Sequence, residues 1–154
     1  MIIISITKQK LFHHRKSGVC YSYPVSTASN GAGNNQGSLQ TPLGRHCIAK
    51  KIGADMPVFT AFKARQPFCT YNSKTDNPNR DWILTRILWL SGCETGKNRR
   101  GKVDTYARYI YIHGTHEESK IGTPASHGCI RMRNDDMMEL FEHVQVGESV
   151  RISE

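Results

Sequence analysis

Residues 108–113 read Arg108-Tyr109-Ile110-Tyr111-Ile112-His113 and are followed by Gly114-Thr115; residues 126–132 read Ser126-His127-Gly128-Cys129-Ile130-Arg131-Met132. The first stretch has clear strand chemistry, with aromatic and β-branched residues side by side, and it delivers His113 to its C-terminal end. The second places a cysteine in a polar loop behind a histidine and a glycine. A thiol is a poor nucleophile until it loses its proton, and a neighbouring histidine can take that proton and stabilise the thiolate. Gly128 removes side-chain bulk beside the thiol and permits backbone angles closed to other residues. Backbone N–H groups near Cys129 can then point at a developing oxyanion. An activated Cys129 is expected to react with alkylating reagents near neutral pH faster than the other cysteines.

Working outward, the neighbouring segments read mostly as strands. Ile2 to Phe12 and Val19 to Val25 read as two strands, with a turn at Arg15 to Gly18. Ser26 to Thr41, rich in Ser, Asn and Gly, reads as a loop. Strand signals return at Arg45 to Ile52 and at residues 57 to 63. Thr70 to Asp81 is polar and turn-rich. Trp82 to Leu90 is an apolar run that reads as a buried strand, with a short helix as the alternative. Gly92 to Lys102 is a basic loop. Asn134 reads as a helix N-cap, with Asp135 and Asp136 in the first turn and Met137, Met138, Leu140, Phe141 and Val144 on the apolar face. Glu148 to Ser153 reads as a last strand. The sum is a mainly β chain, 1–154, read as one domain.

Composition sets outer limits. The chain has 154 residues, 38% hydrophobic, and a net charge of +8 from 21 basic and 13 acidic residues. Such a surface attracts anionic partners of several kinds. No motif for nucleic-acid binding accompanies the basic loop, and no stretch approaches the roughly 20 apolar residues of a membrane span. The N-terminal residues carry no recognisable export signal, which favours a cytoplasmic location; a start lying further upstream would favour the periplasm or cell envelope. Of the cysteines, Cys20, Cys47, Cys69 and Cys93 read as small buried apolar residues. A zinc site built from His113, His116, Glu117, His127 and Cys129 lacks helical HExxH spacing, so neither metal nor cofactor is expected.

These residues together resemble the L,D-transpeptidase catalytic domain, also called the YkuD-type domain. The resemblance rests on Ile112-His113-Gly114-Thr115, the twelve residues between His113 and Ser126, and Ser126-His127-Gly128-Cys129-Ile130-Arg131-Met132. Thr41-Pro42-Leu43-Gly44 is similar to the family's TPxG segment, and Tyr23 to Thr27 resembles its early strand end. Where many members carry Asn two places after the cysteine, this chain has Arg131. The resemblance implies a β-sandwich-like fold with one or two short helices. It implies action on peptidoglycan stem peptides or muropeptides, with Cys129 attacking the diaminopimelate–D-alanine bond to form a thioester. It makes His113 the base, oriented by the Gly114 carbonyl, with Ser126, His127, Gly128 and Arg131 lining the site. Amides of Gly128 and Cys129 would form the oxyanion hole, and Arg131 would meet a substrate carboxylate. The thioester would pass to an amine in transpeptidation or to water in L,D-carboxypeptidation, the second suiting a cytosolic recycling enzyme.

Overall fold

In the computed structural model, which describes residues 1–154, the N-terminal run that reads as one strand is two. β1 (Ile2–Ser5) and β2 (Lys10–His14) pair antiparallel, with Ile3 opposite Phe12. No glycine or proline marks the turn between them. Gln9 makes it instead, at φ 48°, with its side-chain amide donating to the Ile6 carbonyl and the Thr27 hydroxyl. β3 (Cys20–Ser26) follows the expected turn, in which Gly18 takes a φ of 85°. Then come β4 (Gly44–Ile52), the hairpin β5 (Thr60–Lys63) and β6 (Gln66–Thr70), and β7 (Ile83–Gly92). β8 (Tyr111–Gly114), β9 (Ile130–Met132), α1 (Asn134–His143) and β10 (Ser149–Ser153) complete the chain. β8 is shorter than the sequence suggests: Tyr109 sits at φ 56°, outside any strand.

The strands hydrogen-bond in the order β4-β10-β1-β2-β3-β9-β8-β7, and β7 pairs back onto β4, with His46 opposite Gly92 and Ile52 opposite Ile87. The expected sandwich is therefore a sheet that closes on itself into a barrel. Closure leaves these strands without an open edge. It depends on the length of β7, whose far half meets β4 while its first residues meet β5. The β5–β6 hairpin hangs outside the ring.

Alternation along each strand decides what lies inside. Ile2, Ile4, Leu11, Val25, Ile112 and Ile130 all point inward and are fully buried. Met137, Leu140 and Phe141 of α1 and the adjacent Val144 join the same core. Burying each such side chain stabilises the fold by about 1.5–3 kcal/mol. Lys51 donates to the carbonyls of Phe141 and Val144, both at 2.6 Å, satisfying the helix C-terminus. At the other end Asn134 is the first helical residue rather than the cap, and its side chain is buried in contacts described below. The cysteine reading also changes: Cys20, Cys69 and Cys93 are exposed and Cys47 is half-buried. Trp82 and Trp89 are buried, as expected.

Candidate active site

β8 and β9 run parallel, with Ile112 opposite Ile130 and His113 opposite Arg131. Since the two isoleucines face the core, Tyr111, His113, Cys129 and Arg131 face outward together. The half-buried Cys129 packs against the cluster of Phe62, Ile87, Trp89 and Tyr111 on that outer face. Its sulfur accepts a hydrogen bond from the Tyr111 N–H at 3.3 Å, and its S–H points to the Tyr109 carbonyl at 3.4 Å. Burial pushes the thiol up to about 12, and the Asp81 charge adds to the rise; the Tyr111 amide and the charges of Arg131 and Arg108 oppose it. His113 is buried, with Nδ1 at 2.6 Å from the Gly114 carbonyl. A carbonyl only accepts, so Nδ1 carries the proton and Nε2 keeps its lone pair. Burial draws His113 below the usual histidine range, although Asp81 and the Gly114 carbonyl favour its charged form. At neutral pH the resting pair is thus a thiol and a neutral imidazole, with no hydrogen bond between them. In this resting arrangement the sulfur and the imidazole are each held by backbone groups rather than by each other.

The loop before Cys129 is fixed by two hydroxyls. Ser126 Oγ donates to the Cys129 carbonyl at 2.5 Å and accepts the Gly128 N–H at 3.2 Å. Thr41 Oγ1 donates to the Gly128 carbonyl at 2.9 Å and accepts the Ala28 N–H at 3.0 Å. The TPxG-like segment therefore anchors the cysteine loop. Gly128 sits at φ 135°, and a Cβ there would press on Ile110 at 3.3 Å. The Gly128 amide, expected at the oxyanion hole, is already engaged by Ser126. The Cys129 amide makes no hydrogen bond within the chain.

Arg131 departs furthest from its expected role. It is buried, and its guanidinium holds Asp81 at 2.6 Å, Glu117 at 3.0 Å and the Ala125 carbonyl at 3.4 Å. Its Nε has no hydrogen-bond partner and is itself buried. Asp81 in turn reaches His127 Nδ1 at 3.1 Å. Burial raises the Asp81 carboxyl, but the charges of His113, Arg131 and His127 outweigh it and leave Asp81 below its usual range. Asp81 carries no sequence signal: it closes a polar loop and becomes a site residue only through tertiary placement.

A second set of unforeseen residues supports the His113 backbone. Thr85 lies in a bulge of β7 at φ 74°, a strained angle for a β-branched residue. Its hydroxyl donates to Asn134 Oδ1 at 2.6 Å, and Asn134 Nδ2 donates to the Thr115 carbonyl at 2.7 Å and to Glu118 at 2.8 Å. Gly114 is wedged there, since a Cβ would lie 2.3 Å from Asn134 Oδ1. The zinc candidates go elsewhere: His116 bonds the Pro78 carbonyl, and Glu117 bonds Lys120 and Arg131.

Two grooves meet at His127. One, of about 320 Å³, is bordered by Gln36, Leu39, Arg108, Tyr109 and Ile110; the other, of about 220 Å³, by Asp81, Glu117, Lys120, Ala125 and Arg131. A larger hollow of about 560 Å³ lies away from the cysteine, between residues 13–17 and 143–148.

Comparison with known proteins points the same way. Residues 1–152 match the model of the YkuD family, described as the L,D-transpeptidase catalytic domain. The chain is 48% identical over 56 residues to the "Probable L,D-transpeptidase ErfK/SrfK" of Salmonella typhimurium, covering 36% of this chain and 18% of that protein. It is 50% identical over 50 residues to the "Probable L,D-transpeptidase YbiS" of Escherichia coli, covering 30% of this chain and 16% of that one. The matched stretches thus span less than a fifth of these two relatives. Its fold is similar to that of an L,D-transpeptidase from Mycobacterium smegmatis, with a TM-score of 0.57 at 15% identity, over 99% of this chain and 58% of that one.

Proposed function

Because the chain belongs to the L,D-transpeptidase catalytic domain family, we propose that it acts on peptidoglycan stem peptides through a Cys129 thioester, cleaving the bond between diaminopimelate and D-alanine. The observation that carries this reading is the pairing on one barrel face. A sulfur held by the Tyr111 amide stands one strand from His113, whose Nδ1 proton is committed to Gly114 and whose Nε2 is free to accept.

The steps follow from the resting states. Burial favours the neutral thiol, so the sulfur loses its proton as it attacks. The S–H turns from the Tyr109 carbonyl to His113 Nε2. The sulfur then bonds to the diaminopimelyl carbonyl carbon, and the carbonyl electrons move onto oxygen. The Cys129 N–H is the free donor for that oxyanion; one such donor contributes about 10²–10³ in rate. As the C–N bond breaks, His113 returns its proton to the departing D-alanine amine. An acceptor amine or water then attacks the thioester and gives its proton to His113; the C–S bond breaks, and His113 returns that proton to the Cys129 sulfur. Arg131 is assigned to holding Asp81 and Glu117 around this centre.

The test is mass spectrometry of products from a diaminopimelate tetrapeptide, with and without a second stem, beside Cys129→Ala. A 3–3 linked dimer with release of D-alanine supports transpeptidation. Tripeptide alone, even with acceptor present, supports the carboxypeptidase reading. Turnover retained in Cys129→Ala would overturn the thioester.

A further inference from the structure

The β5–β6 hairpin carries a cation to the edge of this site. Its two turn residues, Ala64 at φ 47° and Arg65 at φ 65°, both lie in the left-handed region, the geometry of a type I′ turn. The turn folds Arg65 back over an aromatic wall. Its guanidinium carbon lies 4.7 Å from the centre of the Tyr109 ring and 5.2 Å from that of Trp89, and Nη1 donates to the Tyr111 hydroxyl at 3.3 Å. Tyr109 and Tyr111 are the two residues whose backbones grip the Cys129 sulfur. The guanidinium and the Cys129 sulfur therefore contact the same two tyrosines, the first through their side chains and the second through their backbones.

The three arginines around the cysteine differ in how much of their donor capacity is used. Arg131 is buried between two carboxylates. Arg108 is spent on the carbonyls of Gly33 and Gln40 and on Ser38. Arg65 is half-buried and joins no ion pair, and the Tyr111 hydroxyl is its single hydrogen-bond partner. A guanidinium presents five donors in a planar fork suited to a carboxylate. Stacking on Tyr109 and Trp89 orders that fork in advance, which lowers the entropy lost on binding. Lys50, 5.4 Å from the Trp89 ring and also in no ion pair, adds a second positive charge along the same wall.

We propose that Arg65 is a specificity-determining residue that binds a free carboxylate of the peptide whose carbonyl Cys129 attacks. The inference rests on the stem-peptide reading above. Such a substrate offers two carboxylates near the scissile bond, that of the terminal D-alanine and that on the diaminopimelate side chain.

Two measurements test it. The first needs no peptide: Cys129 is alkylated at pH 9 with iodoacetate or with neutral iodoacetamide, and each rate is read at Cys129 by peptide mass spectrometry. Arg65→Gln should lower the iodoacetate-to-iodoacetamide ratio at Cys129 about tenfold, Arg65→Lys should restore part of it, and the ratios at Cys20, Cys69 and Cys93 should not move. An unchanged ratio at Cys129 would overturn the proposal even if the enzyme turns over stem peptides. The second compares the tetrapeptide with its C-terminal amide and with its side-chain amide. Arg65→Gln should raise KM about tenfold or more with kcat little changed. The amidation that abolishes this difference identifies the carboxylate; a difference that persists on both amides would exclude one. If the wild type turns over none of the peptides, the stem-peptide reading falls, while the alkylation ratio still decides whether Arg65 recruits a carboxylate to Cys129.

Discussion

β8 and β9 each present two faces, and the faces have been given different tasks. Ile112 and Ile130 point into the barrel and are fully buried among aliphatic side chains. Their neighbours Tyr111, His113, Cys129 and Arg131 point outward, where a thiol, an imidazole and a guanidinium share a small area with Asp81. The inner face supplies stability through contact area. The outer face holds polar groups whose protonation is set by burial and by each other. Because a strand alternates, one residue of displacement separates packing from chemistry.

This division can be broken from either side. Cys129→Ala should reduce D-alanine release from the tetrapeptide by at least about 10⁴-fold, with little change in melting temperature by calorimetry. A large stability loss in that variant would mean that the outer face also carries the fold. Ile112→Ala should do the reverse: it should cost about 2–5 kcal/mol in a denaturant titration while leaving kcat of the folded protein nearly intact. Thr41→Val sits at the boundary. It removes the hydroxyl that joins the Gly128 carbonyl to the Ala28 amide, so turnover should fall by roughly 10–10², and stability by about 1–3 kcal/mol. Equal activity in that variant would remove Thr41 from the anchoring role.

The smallest effect sharpens the electrostatics. Asp81 favours the charged form of His113. His113 must be neutral to act as base, so the rate falls as pH drops through its pKa. Asp81→Asn removes a negative charge, lowers that pKa further, and should move the acid limb of the kcat/KM profile to lower pH. A shift to higher pH would show that Asp81 acts on His113 in the opposite sense.

The two faces were also unequally legible in the sequence. Alternation in Tyr111-Ile112-His113 marks inside and outside directly, and a histidine and a cysteine in glycine-flanked motifs stand out by residue type. Asp81 and Thr85 could not be found this way, because each matters only through what the barrel brings against it. Arg65 was hidden for a related reason: its turn reads Ala64-Arg65 rather than Asn-Gly, so nothing local marks a left-handed hairpin. The break between β1 and β2 leaves no mark in the sequence, because Gln9 closes it without glycine or proline. Barrel closure depends on β7 reaching back to β4, a pairing that no single segment announces. The exposed Cys20, Cys69 and Cys93 show the limit of residue type alone, since a cysteine's habit of burial does not fix where a particular one lies.

The most direct test of the outer face as a reaction centre is intact-protein mass spectrometry after acid quench of the protein with a diaminopimelate tetrapeptide. The expected result is a tripeptide acyl adduct mapped to Cys129, formed together with an equal amount of free D-alanine. D-alanine released at the same rate by Cys129→Ala, or an adduct mapped to another residue, would contradict it.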